Sequence, residues 1–425
     1  MLFMGNTGMP DLRPFVTLLV LAGCLHGADF HVSPAGAGSA DGSSPENAVP
    51  GASASSVFNS RMQSGDRLLF GAGLYENLGL SLVTGGSADR PKIVEGARGA
   101  VMVSTWAIAK PDKGATAVTL APGLRHVVFR NLLFQRYCMV VRADRAPENP
   151  RGHLVFENVS MEWMRHGFYL SDCDDLSFSG CKMKRYSKHG FRFEQGCDRV
   201  VLKACEADCS EGDPAWETQT ELFPFGFFLN DGGAPNTGFL LESCVARNHI
   251  KSNQTVKYTN GDGFVVEGNS RDVVFRGCRA LRNQDGGFDL KVMDVRLGDC
   301  VATGNRRDYR IWRSGTLTNC FGGWSQAGIW IKDGPVKASR CTFLDHRRSA
   351  IETEKAAGRL TLADCLLGSS QPDFVAAIGS FEGGDSTITA KSAAELGIVT
   401  PKSSWDGIGG AMDSAKFPDK GYHSP

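Results

Sequence analysis

Residues 260–291, NGDGFVVEGNSRDVVFRGCRALRNQDGGFDLK, hold one full copy of a pattern that returns along most of the chain. Aligned on VVFRGCRA, the segments VVFRNLLF, LVFENVSM, LSFSGCKM, VVLKACEA, FLLESCVA, VRLGDCVA, GTLTNCFG, VKASRCTF and LTLADCLL fall into one frame. One column of that frame reads Leu132, Val159, Cys181, Cys205, Cys244, Cys278, Cys300, Cys320, Cys341, Cys365, at spacings of 20 to 39 residues. Cysteine there alternates with Leu and Val, so it is read as a small buried hydrophobe stacked between successive repeats. Disulfide pairing is the weaker reading, because a cysteine in every repeat has no single partner.

A second column runs beside the first. Gly-Phe pairs recur at Gly167, Gly190, Gly226, Gly263 and Gly287, and Tyr309, Ile329 and Ile351 continue the apolar position of Phe168, Phe191, Phe227, Phe264 and Phe288. Two short strands in about 22 residues, punctuated by glycine and lacking helical periodicity, describe the coil of a β-solenoid. The expected fold is all-β: a single-stranded right-handed parallel β-helix of about ten or more coils, with caps at both ends. The leucine-rich repeat consensus is absent, and a β-sandwich would not keep two columns in step over so many units. The long intervals mark insertions at about Ala207 to Pro224 and His249 to Thr259, which solenoids tolerate on their surface.

The chain has 425 residues, 46 basic and 46 acidic, so no global charge calls for nucleic acid or an anionic membrane. Residues 1–28 read as an export signal, with Arg13, the apolar run Phe15 to Ala22, and Cys24 in a lipobox-like Leu-Ala-Gly-Cys. An ordinary cleaved signal and a lipid anchor at Cys24 stand side by side. The product is expected to be secreted, periplasmic or held at the cell surface as an outer-membrane lipoprotein, and to be a monomer. No later stretch has the ~18 apolar residues of a membrane span. The β-helix is expected over 29–368, opening with a capping helix at about Ser55 to Met62, and 369–425 is expected to cap its C-terminal end.

Chemistry is sought on the outward face beside the Phe column. Its residues read Tyr169, Arg192, Phe228, Val265, Asp289, Arg310, Trp330, Glu352, and two positions on Ser171, Glu194, Asn230, Glu267, Lys291, Trp312, Lys332, Glu354. Members of each column lie one strand spacing apart, ~4.8 Å. Asp262, Asp285 and Asp289 approach one point from adjacent coils, which suits a hard cation such as Ca²⁺; Asp-Gly pairs also simply make turns. His166 and His189 stack in adjacent coils, but no third ligand accompanies them, so they are read as structural.

The stretch NGDGFVVEGN…VVFRGCRALRNQDGGFDLK resembles polysaccharide lyase family nine, pectate lyase-like β-helix enzymes that cleave uronate polymers. The likeness spans about Cys244 to Cys320. It implies calcium ligands at Asp262, Asp285 and Asp289, with Gly286 where the family carries one more Asp. It also places Arg310 where the family has its lysine base. β-Elimination needs a base for the proton α to the uronate carboxylate and a cation to neutralise that carboxylate. Arg310 holds its proton tightly, so Lys291 and Lys332 are the further base candidates, and ion pairing with Asp289 is an equal role for Arg310. Arg306, Arg307 and Arg313, with Arg347 and Arg348, are candidate contacts to an anionic polysaccharide; Tyr309, Trp312 and Trp330 would stack on its rings. Two other functions remain open at this point. The same acids would serve a glycoside hydrolase if ~5–9.5 Å apart, and a β-helix without the family's lysine would bind glycan and not cut it.

Overall fold

The computed structural model describes residues 27–209, 224–230, 232–250, 260–368, 375–377, 379–389, 391–392 and 394–396. The export signal, Cys24, most of both insertions and most of the C-terminal cap lie outside them. What is described is a parallel solenoid of about 12 turns. One 15-stranded sheet and one 23-stranded sheet carry it, and their strands pair in parallel.

Each full coil has three strands, not the two that the periodicity suggests. The coil beginning at residue 271 shows why, with strands Arg271–Arg276, Arg279–Leu281 and Gly286–Leu290. The segment VVFRGCRA is therefore two strands and a corner. The residue before the Cys column makes the turn: Asn131, Asn158, Gly180, Ala204, Ser243, Gly277, Asp299, Asn319, Arg340 and Asp364 all have φ between 50° and 61°. A short left-handed step of this kind bends the chain, and Asn, Asp and Gly tolerate it best.

The core is built from columns. Phe191, Phe227, Phe264, Phe288 and Tyr309 stack with ring centroids 4.7–5.3 Å apart and planes within 11° of parallel. That spacing is the strand spacing, so register alone brings the rings together. Tyr309 belongs to this core and not to a sugar-stacking surface; its hydroxyl donates to Cys300 O and Phe321 O at 2.9 and 2.7 Å. The twelve described cysteines are all free and buried. Several thiols donate to carbonyls of the coil before, Cys278 to Leu241 O at 3.3 Å and Cys244 to Leu202 O at 3.4 Å.

At the N-terminal end a helical turn over Ala54–Ser56 runs into Val57–Arg61, and Val57, Phe58 and Met62 close over the first coils. At the other end the coils continue past the boundary expected at 368. Val375–Ala377, Ser380–Glu382 and Thr387–Thr389 pair with the preceding coil. No helix among the described residues is long and apolar enough to cross a membrane.

Candidate functional site

Third strands Gly286–Leu290, Arg307–Ile311, Ala327–Ile331 and Ser349–Thr353 lie side by side. Pairing sets Val265 beside Asp289, Asp289 beside Arg310, Arg310 beside Trp330 and Trp330 beside Glu352. The first outward column is thus as expected from sequence. In the second column Ser171 departs: an irregularity after Leu170 sets it opposite Gln195, not Glu194.

The corner leading into these strands is locked by a buried polar ladder that the sequence reading passed over. Asn305 Oδ1 accepts from Asn283 N at 2.9 Å and Asn283 Nδ2 at 3.0 Å, while Asn305 Nδ2 donates to Ala280 O and Asp308 Oδ1. Ser325 continues the ladder by accepting from Asn305 N at 2.9 Å. Asp308 also takes His346 Nε2 at 2.9 Å, both side chains fully buried. A signal was present: Asn283, Asn305 and Ser325 are 22 and 20 residues apart, the same steps as Cys278, Cys300 and Cys320.

Above this corner, carboxylates and guanidinium groups meet. Asp285, only 4 % exposed, has Arg310 Nη1 at 3.2 Å on Oδ2, and Arg306 Nη1 and Arg307 Nη1 at 3.5 and 3.7 Å on Oδ1. Asp289, 2 % exposed, accepts from Trp312 Nε1 at 2.5 Å on Oδ1 and has Arg310 Nη1 and Lys291 Nζ at 3.5 and 3.4 Å from Oδ2. Lys291 also pairs with Glu267. The third acid turns elsewhere: Asp262 Oδ1 accepts the Gly286 N–H at 2.5 Å.

Electrostatics follow this packing. Burial, then the neighbouring Asp289 and Asp285, pushes the Asp262 carboxyl well above the ordinary range. Burial raises Asp285 as well, although Arg310, Arg306 and Arg307 pull against it. Burial alone would lower Lys291, but Asp289 and Glu267 more than offset that and raise it. Arg307 is lowered by burial and by Arg310 and Arg306 beside it.

Two tryptophans form the apolar part of the face. The Arg310 guanidinium lies 5.0 Å from the Trp312 ring centroid and 5.3 Å from that of Trp330; Lys332 Nζ stands 4.1 Å from the Trp312 centroid, and Arg307 5.4 Å from that of Trp330. Glu352 closes the far side, accepting from Arg348 Nε at 2.7 Å and Ser349 Oγ at 2.5 Å. No carboxylate of the described residues pairs with Lys332. Arg313 is not part of this group: it is exposed and lines a separate shallow cleft with Arg271, Asp272, Met293, Asp294 and Arg296.

These donors fit a calcium ion poorly as they stand. Ca²⁺ wants six to eight oxygens at 2.3–2.6 Å, whereas Asp285 and Asp289 turn theirs to guanidinium, ammonium and indole N–H groups. Among the described residues no three His, Cys, Asp or Glu side chains come together as a metal-holding group. What the arrangement offers is a partly covered row of cations and indoles over buried acids, suited to an anionic, ring-shaped ligand.

A parallel solenoid with this outward face defines the class. Residues 148–388, more than half of the chain, match the family described as right handed beta helix region. The chain belongs to that right-handed β-helix family. Among solved structures, the A-module of the Azotobacter vinelandii mannuronan C-5 epimerase AlgE6 is similar at 12% identity and TM-score 0.55, over 77% of this chain and 90% of that one. Pectate lyase Pel9A is similar at 13% identity and TM-score 0.48, over 89% and 84%. An alginate lyase from Paenibacillus sp. str. FPU-7 is similar at 10% identity and TM-score 0.44, over 78% and 96%. At these identities the similarity speaks to the fold. No curated protein matches the sequence.

Proposed function

We propose that the face formed by Asp285, Asp289, Arg306, Arg307, Arg310, Trp312, Trp330 and Lys332 binds a uronate-containing polysaccharide and cleaves it by β-elimination. The observation that carries the reading is the pairing of surplus cations with indoles on one strand face. Lys291, Arg306, Arg307, Arg310, Lys332 and Arg348 gather around Glu267, Asp285, Asp289 and Glu352, with Asp262 driven toward its neutral form. Cations of this surplus attract a uronate carboxylate, and the half-buried Trp312 indole, backed by the buried Trp330, offers a flat surface to a sugar ring.

In this reading the base goes to Lys332, whose ammonium no carboxylate of the described residues holds; Arg310 and Lys291 are both tied to acids. The base takes the proton α to the uronate carboxylate, the electron pair becomes the new carbon–carbon double bond, and the bond to the glycosidic oxygen breaks. That oxygen leaves with a proton from solvent. Charge building on the carboxylate is met by a cation. The rim arginines supply it here; calcium assistance, expected from the likeness to polysaccharide lyase family nine, is the alternative. The reading includes export through residues 1–28.

Incubation with polygalacturonate, alginate and other uronate polymers tests the proposal by the absorbance of an unsaturated uronate end. Wild type should produce it, Lys332→Ala should lower the rate by about 10²-fold or more, and a chelator separates arginine from calcium. Reducing ends without that absorbance would mean hydrolysis, for which Asp262 would be the acid. A binding-only role is favoured by one observation, that Arg310 and Lys291 are held as ion pairs; glycan binding with no product from any polymer would establish it.

A further inference from the structure

We infer that Arg310 occupies the position a divalent cation would take between Asp285 and Asp289, so that the site carries its own fixed positive charge and needs no metal. The inference rests on the β-eliminative reading for its meaning, but its geometry stands apart from it.

One guanidinium nitrogen serves both acids. Arg310 Nη1 is 3.2 Å from Asp285 Oδ2 and 3.5 Å from Asp289 Oδ2. Of the outer oxygens, Asp289 Oδ1 is taken by Trp312 Nε1, while Asp285 Oδ1 has the Arg306 and Arg307 guanidinium groups at 3.5 and 3.7 Å and no hydrogen bond from the described residues. An entering cation would have to displace Arg310 and then hold two carboxylates against three guanidinium groups and Lys291. The packing of Arg310 against Trp312 and Trp330 makes that displacement harder.

Gly286 completes the argument. A Cβ at this position would meet Asp262 Oδ1 at 2.8 Å and Asp289 Cβ at 3.2 Å. The space belongs to Asp262, whose Oδ1 is engaged by the Gly286 N–H. A carboxylate side chain cannot be added there without moving Asp262, so the glycine fits an arginine-neutralised pair and not the four-acid calcium set that the resemblance implies. One guanidinium between two acids stands where the family resemblance implies four acids around a doubly charged ion.

Titration of Ca²⁺ alone into the full chain tests this, by calorimetry and by thermal melting, with no substrate present. Wild type is expected to show no saturable heat and no shift of Tm. Arg310→Gln removes the bridging charge and should acquire calcium binding with an upward Tm shift, and Asp285→Asn added to it should abolish both. Saturable binding of one Ca²⁺ per wild-type chain, lost in Asp289→Asn, would overturn the inference. So would a folded Arg310→Gln that stays indifferent to calcium. If Arg310→Gln does not fold, the wild-type titration decides alone, with binding against the inference and its absence in favour. Because no polysaccharide enters, a failure here is distinct from a failure to form unsaturated product.

Discussion

The indole N–H of Trp312 donates to Asp289 Oδ1 at 2.5 Å, reaching from one coil to the next. Asp289 is buried and this is one of the few neutral donors in a cluster otherwise held by charge. Trp312→Phe keeps an aromatic ring beneath Lys332 and Arg310 but removes the donor. A hydrogen bond to a charged group contributes about 1.5–3 kcal/mol, and a loss of that size is expected in urea unfolding at unchanged slope. Equal midpoints for the two proteins would show that Arg310 and Lys291 satisfy Asp289 without it.

The cysteine column makes a second prediction. Cys278, Cys300 and Cys320 are fully buried with no disulfide, and Val159 fills the same column in an earlier coil. Cys278→Val should cost less than about 1.5 kcal/mol, whereas Cys278→Phe should cost about 1–3 kcal/mol or more through overpacking. None of the twelve described thiols should react with a thiol reagent until denaturant is added. Rapid labelling of the native protein at Cys278 would mean that the coils open far more readily than their packing indicates.

Much of this was legible before the structure, and the reason is periodicity. Phe264, Phe288 and Tyr309 repeat because register forces like against like, and the outward column from Val265 to Glu352 follows from the same register. The corners were not legible, because a left-handed turn at Ala204, Ser243 or Arg340 carries no glycine to announce it. The third strand was hidden for that reason. Side-chain direction was also beyond reach: Asp262 shares the neighbourhood of Asp285 and Asp289, yet its Oδ1 is engaged by the backbone of Gly286. Arg313 and Tyr309 are the same lesson, one at a separate cleft and one in the core.

His249 predicts an acid-side loss of stability. It is fully buried between Tyr186 and Asn283, and burial pushes its pKa down to about 4, against the pull of Asn283 and Asp208. Above its unfolded value near 6.5 the ring is neutral in both states and nothing changes. As pH falls below that value the unfolded chain takes up a proton that the folded ring refuses, so stability is lost down to about pH 4. Over that window the loss is roughly 3 kcal/mol from this group. His166 and His189, also lowered by burial, add in the same direction. His249→Gln should flatten part of this slope in urea midpoints followed from neutral to acid pH; an unchanged slope would mean that the folded ring accepts the proton.

Asp262 predicts the opposite trend. Its folded pKa is raised, first by burial and then by Asp289 and Asp285, so the folded chain keeps a proton that the unfolded chain gives up. The contribution is fully present below the ordinary carboxyl value of 3.8 and is lost as pH rises through the folded value. Asp262→Asn retains an oxygen for the Gly286 N–H and has no proton to lose. Relative to wild type, the variant should therefore gain about 1.4 kcal/mol for each pH unit above the ordinary carboxyl range, until the folded carboxyl ionises. Urea unfolding of both proteins across that range reads the difference directly. A constant difference would mean that Asp262 ionises in the folded chain as readily as in the unfolded one.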